Sequence, residues 1–403
     1  MHEPRTGKAG TTFRVAVCLA LALALSTPAG ATEPSSDRSA GTAASRTLWV
    51  SPSGMDIGPG TRTMPLRSIQ AAVNRAEAGT TIMVRAGTYE GSVDLSGLHG
   101  TPDEPINLVS ADGRGAARIV GDTDKAAIQA YKISNVGIHD FEVVSNTTSG
   151  DIGGMKIAGP WRAPARNIVI SGNIVTGKGT DGIKLFNGAR DILVVGNTIE
   201  GDWRQEAIDN VSVEDTVFAY TTIKGPARYS GITMKAGSRN IELFGNDIDL
   251  TASVGIYVGG QGTSRLKRSF PDYWKGFEAS NIHVHGNVVG ENVTGRSLVF
   301  VGANNSTVER NCFAGDVGSV DHSVSGHFTY RSFDNTLVDN AVARAGFFKP
   351  NIGQSDGYVV AGNVDAASGG VRRQGHECGS PYRDGRRSTM RPYAPAHEPV
   401  PGR

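Results

Sequence analysis

The chain has 403 residues, with 40 Lys and Arg against 39 Asp and Glu, for a net charge of +1. So balanced a charge excludes a global field that would draw the protein to nucleic acid or to an anionic membrane surface. Its 53 glycines, 7% aromatics and frequent Asn-bearing turns point to a β-rich chain with turns at short intervals, and away from a helical bundle.

In chain order, residues 1–31 read as a secretory signal. Arg5, Lys8 and Arg14 precede the apolar run from Val15 to Leu25, and Ala29-Gly30-Ala31 supplies a small-residue cleavage pattern. The run is too short to span a bilayer as a helix. The expectation is a secreted, extracellular protein, monomeric, with neither membrane insertion nor nucleic acid as a partner. Residues 32–46, rich in Ser, Thr and Ala, read as a flexible leader.

The segment from "TLWVSPSG" to "AGTTIMVRAGTYEG" contains the one convincing helix. Ile69, Ala72, Val73 and Ala76 line one of its faces, as expected of a cap over the open end of a repeat stack.

Internal periodicity is the strongest signal in the sequence. Asn173, Asn197, Thr221, Asn246, Asn287, Asn311, Asn340 and Asn363 fall in one column, with most steps 23 to 25 residues long and a step of 41 between Asn246 and Asn287. Each unit carries short runs of alternating apolar residues, such as "NIVIS" and "GMKIA", with no room for a helix between them. Such a unit cannot bury its apolar face alone and must stack on copies of itself, giving an all-β, parallel β-helix over residues 47–368. The recurrent Asn suits side-chain amides stacked at one turn, tolerant of left-handed backbone.

Stacking brings distant residues together. Aligning "GGMKIA", "DGIKLF", "EAIDNV", "SGITMK" and "VGIYVG" sends Met155, Ile183, Ile208, Ile232 and Ile256 inward. One outward column is then Lys156, Lys184, Asp209, Thr233 and Tyr257; the next is Ala158, Phe186, Val211, Lys235 and Gly259. Asp181 and Glu206 stand at the starts of adjacent strands, so three carboxylates converge with Asp209. Such a cluster repels itself unless a cation or a lysine neutralises it, and hard oxygen ligands favour Ca²⁺.

The step of 41 places an insertion, "GGQGTSRLKRSFPDYWKGFEAS", after Tyr257. Its Gln261, Arg265 and Arg268, with nearby aromatics, suit an anionic sugar polymer. Lys156, Phe186 and Arg239 on the coil are likewise assigned to substrate contacts. Cys312 and Cys378, the cysteines left once the signal is removed, would either pair in an oxidising compartment or remain thiols. His283 and His285 in "NIHVHGN" share a strand face, but the sequence supplies no third metal ligand, so an ordinary exposed role is expected. The tail, residues 369–403, is basic and Pro/Gly-rich and reads as disordered.

At these residues the chain resembles secreted right-handed β-helix polysaccharide lyases, most closely the family-nine pectate-lyase-like enzymes. The likeness covers the "WVSPSG…PLRSIQAAV" opening, the coil repeats and the polar patch. It implies that Asp181, Glu206 and Asp209 hold Ca²⁺, although Gln205 stands where that family has a further Asp and Thr233 where it has its lysine base. A second resemblance, of "ITMKAGSRN" to family-six lyases, implies that Lys235 is the base. It leaves Gly259 where an Arg is expected.

The activity so implied is β-elimination at a uronic acid, with Lys235 taking the C5 proton once its pKa is lowered. Lys184 would pair with the substrate carboxylate or act as the base, and Tyr257 would protonate the leaving oxygen. A C5-epimerase shares the first step. A glycoside hydrolase using the three acids and a non-catalytic carbohydrate-binding β-helix are rivals of other classes.

Overall fold

The computed structural model describes residues 46–148, 150, 152–260, 276–320, 322–324, 328–342, 348–350 and 357–365. The signal, the leader up to its last residue and the tail expected from the sequence lie outside these residues, as does Cys378. Cys312 begins a short half-buried strand, Cys312–Phe313.

The chain winds so that each coil gives one strand to each of three sheets. Arg166–Ser171, Ile174–Gly179 and Ile183–Phe186 form one coil; Arg190–Val195, Thr198–Trp203 and Glu206–Val211 form the next. Every strand pair joining successive coils is parallel, and all three sheets run the length of the stack. Period-2 alternation explains the core. Ile168 and Ile170 from the first sheet, Val175 from the third and Ile183 and Leu185 from the second all point inward and are essentially inaccessible.

The corners need small residues. A Cβ on Gly182 would lie 2.6 Å from the Ala207 carbonyl oxygen and 2.7 Å from Ile199 Cγ2, which accounts for the small residue in "DGIK".

The asparagine column forms a buried ladder. Asn246 Nδ2 donates to Asn287 Oδ1 at 2.8 Å, Asn287 to Asn311 at 2.9 Å, Asn311 to Asn340 at 2.9 Å and Asn340 to Asn363 at 2.9 Å. Each amide also caps backbone; Asn287 Nδ2, for example, donates to the Leu243 carbonyl at 2.9 Å. The left-handed backbone falls on the preceding residue and not on the Asn itself: Gly196, Tyr220, Gly245, Gly286, Arg310 and Asp339 all have φ between 50° and 64°. The turn is therefore made one position earlier than the repeat pattern suggests.

The helix, Ile69–Val73, is shorter than expected, because the chain turns at Asn74. Ser68 caps it, its hydroxyl accepting from the Ala71 N–H at 3.1 Å. Its buried face of Ile69, Ala72 and Val73 joins Leu48, Val50 and Ile82 in the core at the N-terminal end of the stack.

Candidate active site

The predicted columns exist as registered neighbours. In the second sheet Lys156 pairs with Lys184, Lys184 with Asp209, Asp209 with Thr233 and Thr233 with Tyr257. Ala158, Phe186, Val211 and Lys235 form the second column. There the expectation needs correcting. A bulge between Thr233 and Met234 slips the register, so Gly259 faces Met234 and not Lys235. Gly260 takes its place beside the lysine, where an added Cβ would lie 3.2 Å from Lys235 Cβ.

Asp181, Glu206 and Asp209 converge, with one carboxylate oxygen from each within 4.8 Å of the others. Local chain geometry sets this up: Asp181 ends one corner, and its Oδ1 accepts the N–H of Glu206, which begins the next coil's strand, at 3.2 Å. All three acids are buried, at 2%, 4% and 1% exposure. The two lysines close over them. Lys184 Nζ lies 3.2 Å from Asp181 Oδ2 and 2.9 Å from Asp209 Oδ2; Lys235 Nζ lies 2.8 Å from both Glu206 Oε1 and Asp209 Oδ1.

Electrostatics divides the acids by neighbour. Burial and the charge of Asp209 push Asp181 up to about 8. Burial, then Asp209, also raises Glu206. Burial would raise Asp209 as well, but Lys235 and Lys184 together outweigh it and hold Asp209 below the usual carboxylate range. At neutral pH Asp181 thus keeps its proton.

Lys235 departs from expectation in one respect. Burial does disfavour its charge, yet Asp209 and Glu206 prevail and raise its pKa instead of lowering it. The half-buried Tyr257 is also raised, by desolvation and then by the Glu206 charge.

Of the remaining predicted residues, Lys156 and Phe186 stay on the second sheet and Arg239 does not. Phe186 is partly buried, with Lys156 Nζ over its ring at 5.2 Å. Arg239 lies in the first sheet, not the second, and its Nη2 is tied to Glu214 Oε1 at 2.6 Å. Gln261, Arg265 and Arg268 lie outside the described residues.

One contributor went unread in the sequence. Arg204 Nη2 donates to Thr180 Oγ1 at 2.6 Å and to the Gly150 carbonyl at 2.9 Å, fixing the corner that carries Asp181. Its place two residues before Glu206 is the only signal that pointed to it.

The family model described as right handed beta helix region matches residues 122–270. The coil is a right-handed parallel β-helix. By sequence, the chain is similar to the uncharacterized protein YwoF of Bacillus subtilis (strain 168), 34% identical over 93 residues that make up 23% of this chain and 19% of that protein. It is also similar to the pectate lyase PEL9 of Emericella nidulans, 42% identical over 67 residues, 16% of each chain. The matched stretches therefore span under a fifth of either relative. Among solved structures, the β-helix is similar to that of pectate lyase Pel9A, at 13% identity and TM-score 0.49, covering 79% of this chain and 78% of that one. Among the described residues no helix is long and apolar enough to cross a membrane.

Proposed function

We propose that this protein is a secreted lyase that cleaves a uronic-acid polysaccharide by β-elimination at the Lys184–Lys235 face, with residues 1–31 directing export. The observation that carries the reading is the meeting of three buried acids with two lysines on one sheet, beside Tyr257 and Phe186. Removing the proton α to a carboxylate builds charge on a group already negative, so the site must first supply positive charge. Lys184 is placed to do so, oriented by Asp181 and Asp209, which are themselves too buried to touch a sugar, and Lys235 stands beside it over Glu206 and Asp209.

The donor chemistry also fits Ca²⁺. Asp181, Glu206 and Asp209 offer hard oxygens close together, and no donor among the described residues reaches Glu206 Oε2. Bound there, Ca²⁺ would supply electrostatic stabilisation of the developing charge. Lys235 acts as base only when its two carboxylates are otherwise neutralised, since its ion pairs hold its proton. The elimination itself is balanced: the C5 proton passes to the base, the C5–H electrons form the C4–C5 double bond, and the C4–O bond breaks. Tyr257 then protonates the departing oxygen.

A hydrolase would need acid and base apart, with a sugar between them. Here the acids crowd together beneath two lysines. A panel of pectate, alginate, glucuronan and glycosaminoglycan, each with and without Ca²⁺, tests the proposal by the ultraviolet absorbance of unsaturated uronate ends. One polymer should yield them in a chelator-sensitive way; new reducing ends without that absorbance would reject the lyase reading.

A further inference from the structure

On the first sheet, away from the lysine-acid face, four side chains from three coils meet. Strands Ser238–Phe244, Ala279–His285 and Thr307–Glu309 are successive neighbours, with Glu242 registered on His283 and Phe244 on His285, which in turn faces Glu309. Period-2 alternation sends His283 and His285 out side by side, their rings 4.3 Å apart. The third ligand missing from the sequence comes from the coil before. His285 Nε2 lies 2.8 Å from Glu242 Oε1, and one ligand atom from each of Glu242, His283 and His285 lies within 4.8 Å of the others.

We propose that Glu242, His283 and His285 form a binding site for a divalent transition-metal ion of the zinc type. Two imidazoles and a carboxylate are a recognised zinc donor set, leaving a fourth position to water. Glu309 completes the arrangement as a positioning residue. It lies 3.1 Å from His283 Nε2, also receives the Arg310 guanidinium, and would orient the imidazole. Phe244 stacks on His285 at 5.3 Å with the rings 9° apart, fixing that ring in turn. The ligands are partly exposed, His285 by 23% and His283 by 42%, so an ion can enter without unfolding. Binding would clip together the coils on either side of the insertion between Gly259 and Ala279, joining residues 43 apart in sequence.

The test is Zn²⁺ titration of the full-length, metal-stripped protein against a chromophoric chelator, with Co²⁺ as a spectroscopic substitute. Wild type should bind one equivalent at this site and raise its melting temperature. His285→Gln or Glu242→Gln should weaken binding at least tenfold, and Glu309→Gln about tenfold. The paired variant Asp181→Asn with Glu206→Gln should leave Zn²⁺ binding unchanged. Co²⁺-loaded wild type should show the intense visible bands of a four-coordinate nitrogen and oxygen site, a result that needs no variant to fold. Absence of stoichiometric binding, or binding that survives His285→Gln and Glu242→Gln, would overturn the assignment.

Discussion

Lys235 and Glu206 are 29 positions apart in the chain and meet at 2.8 Å, one coil above the other. The same ammonium lies 2.8 Å from Asp209, so one lysine holds two buried acids. Removing it by Lys235→Met should leave both uncompensated and cost about 3 kcal/mol, by the usual penalty for breaking a buried pair. Urea unfolding should show the loss, and Glu206→Gln in the same chain should recover part of it. Additive losses would mean that the pair is not coupled.

Asp181 gives a pH signature. Its folded pKa of about 8 lies above the unfolded value of 3.8, so its favourable contribution is complete below about pH 4 and is lost as pH rises through 8. Asp181→Asn, which keeps the neutral shape, should therefore gain on wild type as pH rises from 4 to 8, by up to ~1.4 kcal/mol per pH unit. Unfolding curves at several pH values check the slope; a constant difference would refute it.

His139 should act in the opposite sense. Burial lowers its pKa from 6.5 to about 4, and the neutral ring is satisfied by Ser171 Oγ at 2.7 Å and Asn107 Oδ1 at 3.2 Å. Its contribution is complete above pH 6.5 and lost as pH falls through 4. Relative to His139→Gln, wild type should lose about 3 kcal/mol over that window. Acid titration of both proteins by circular dichroism measures it.

The ladder has one interruption. Thr221 stands between Asn197 and Asn246, and its backbone N–H donates to Asn246 Oδ1 at 3.0 Å while its hydroxyl bonds only to the Ala219 carbonyl. Thr221→Asn should join the two ladder segments and stabilise by ~1 kcal/mol, whereas Asn287→Ala, which strands several buried partners, should cost about 3 kcal/mol. Thermal melts of the two variants should shift in opposite directions.

The stacking was legible in the sequence because strand alternation and a nearly fixed repeat leave little freedom. Once "DGIKLF" and "EAIDNV" align, Lys184 must meet Asp209. The protonation of Lys235 was not legible. Column order shows which residues are adjacent, but its charge state depends on burial and on which oxygens the ammonium reaches, and both acids turned out to lie below it. The bulge at Thr233 and Met234 was equally hidden, since one extra residue leaves the local alternation intact while shifting the partner strand. Glu242 escaped notice as a partner of the histidines because the inserted segment lengthens the spacing between their coils.

The most direct test follows an oligouronate through reaction in heavy-oxygen water and, separately, in D₂O, comparing wild type with Lys235→Met. The account predicts an unsaturated non-reducing end, no heavy oxygen at the new reducing end, and loss of both cleavage and unsaturation in the variant. Heavy oxygen at the new reducing end would contradict it and mark a hydrolase; C5 deuteration of uncleaved chains would contradict it in favour of an epimerase.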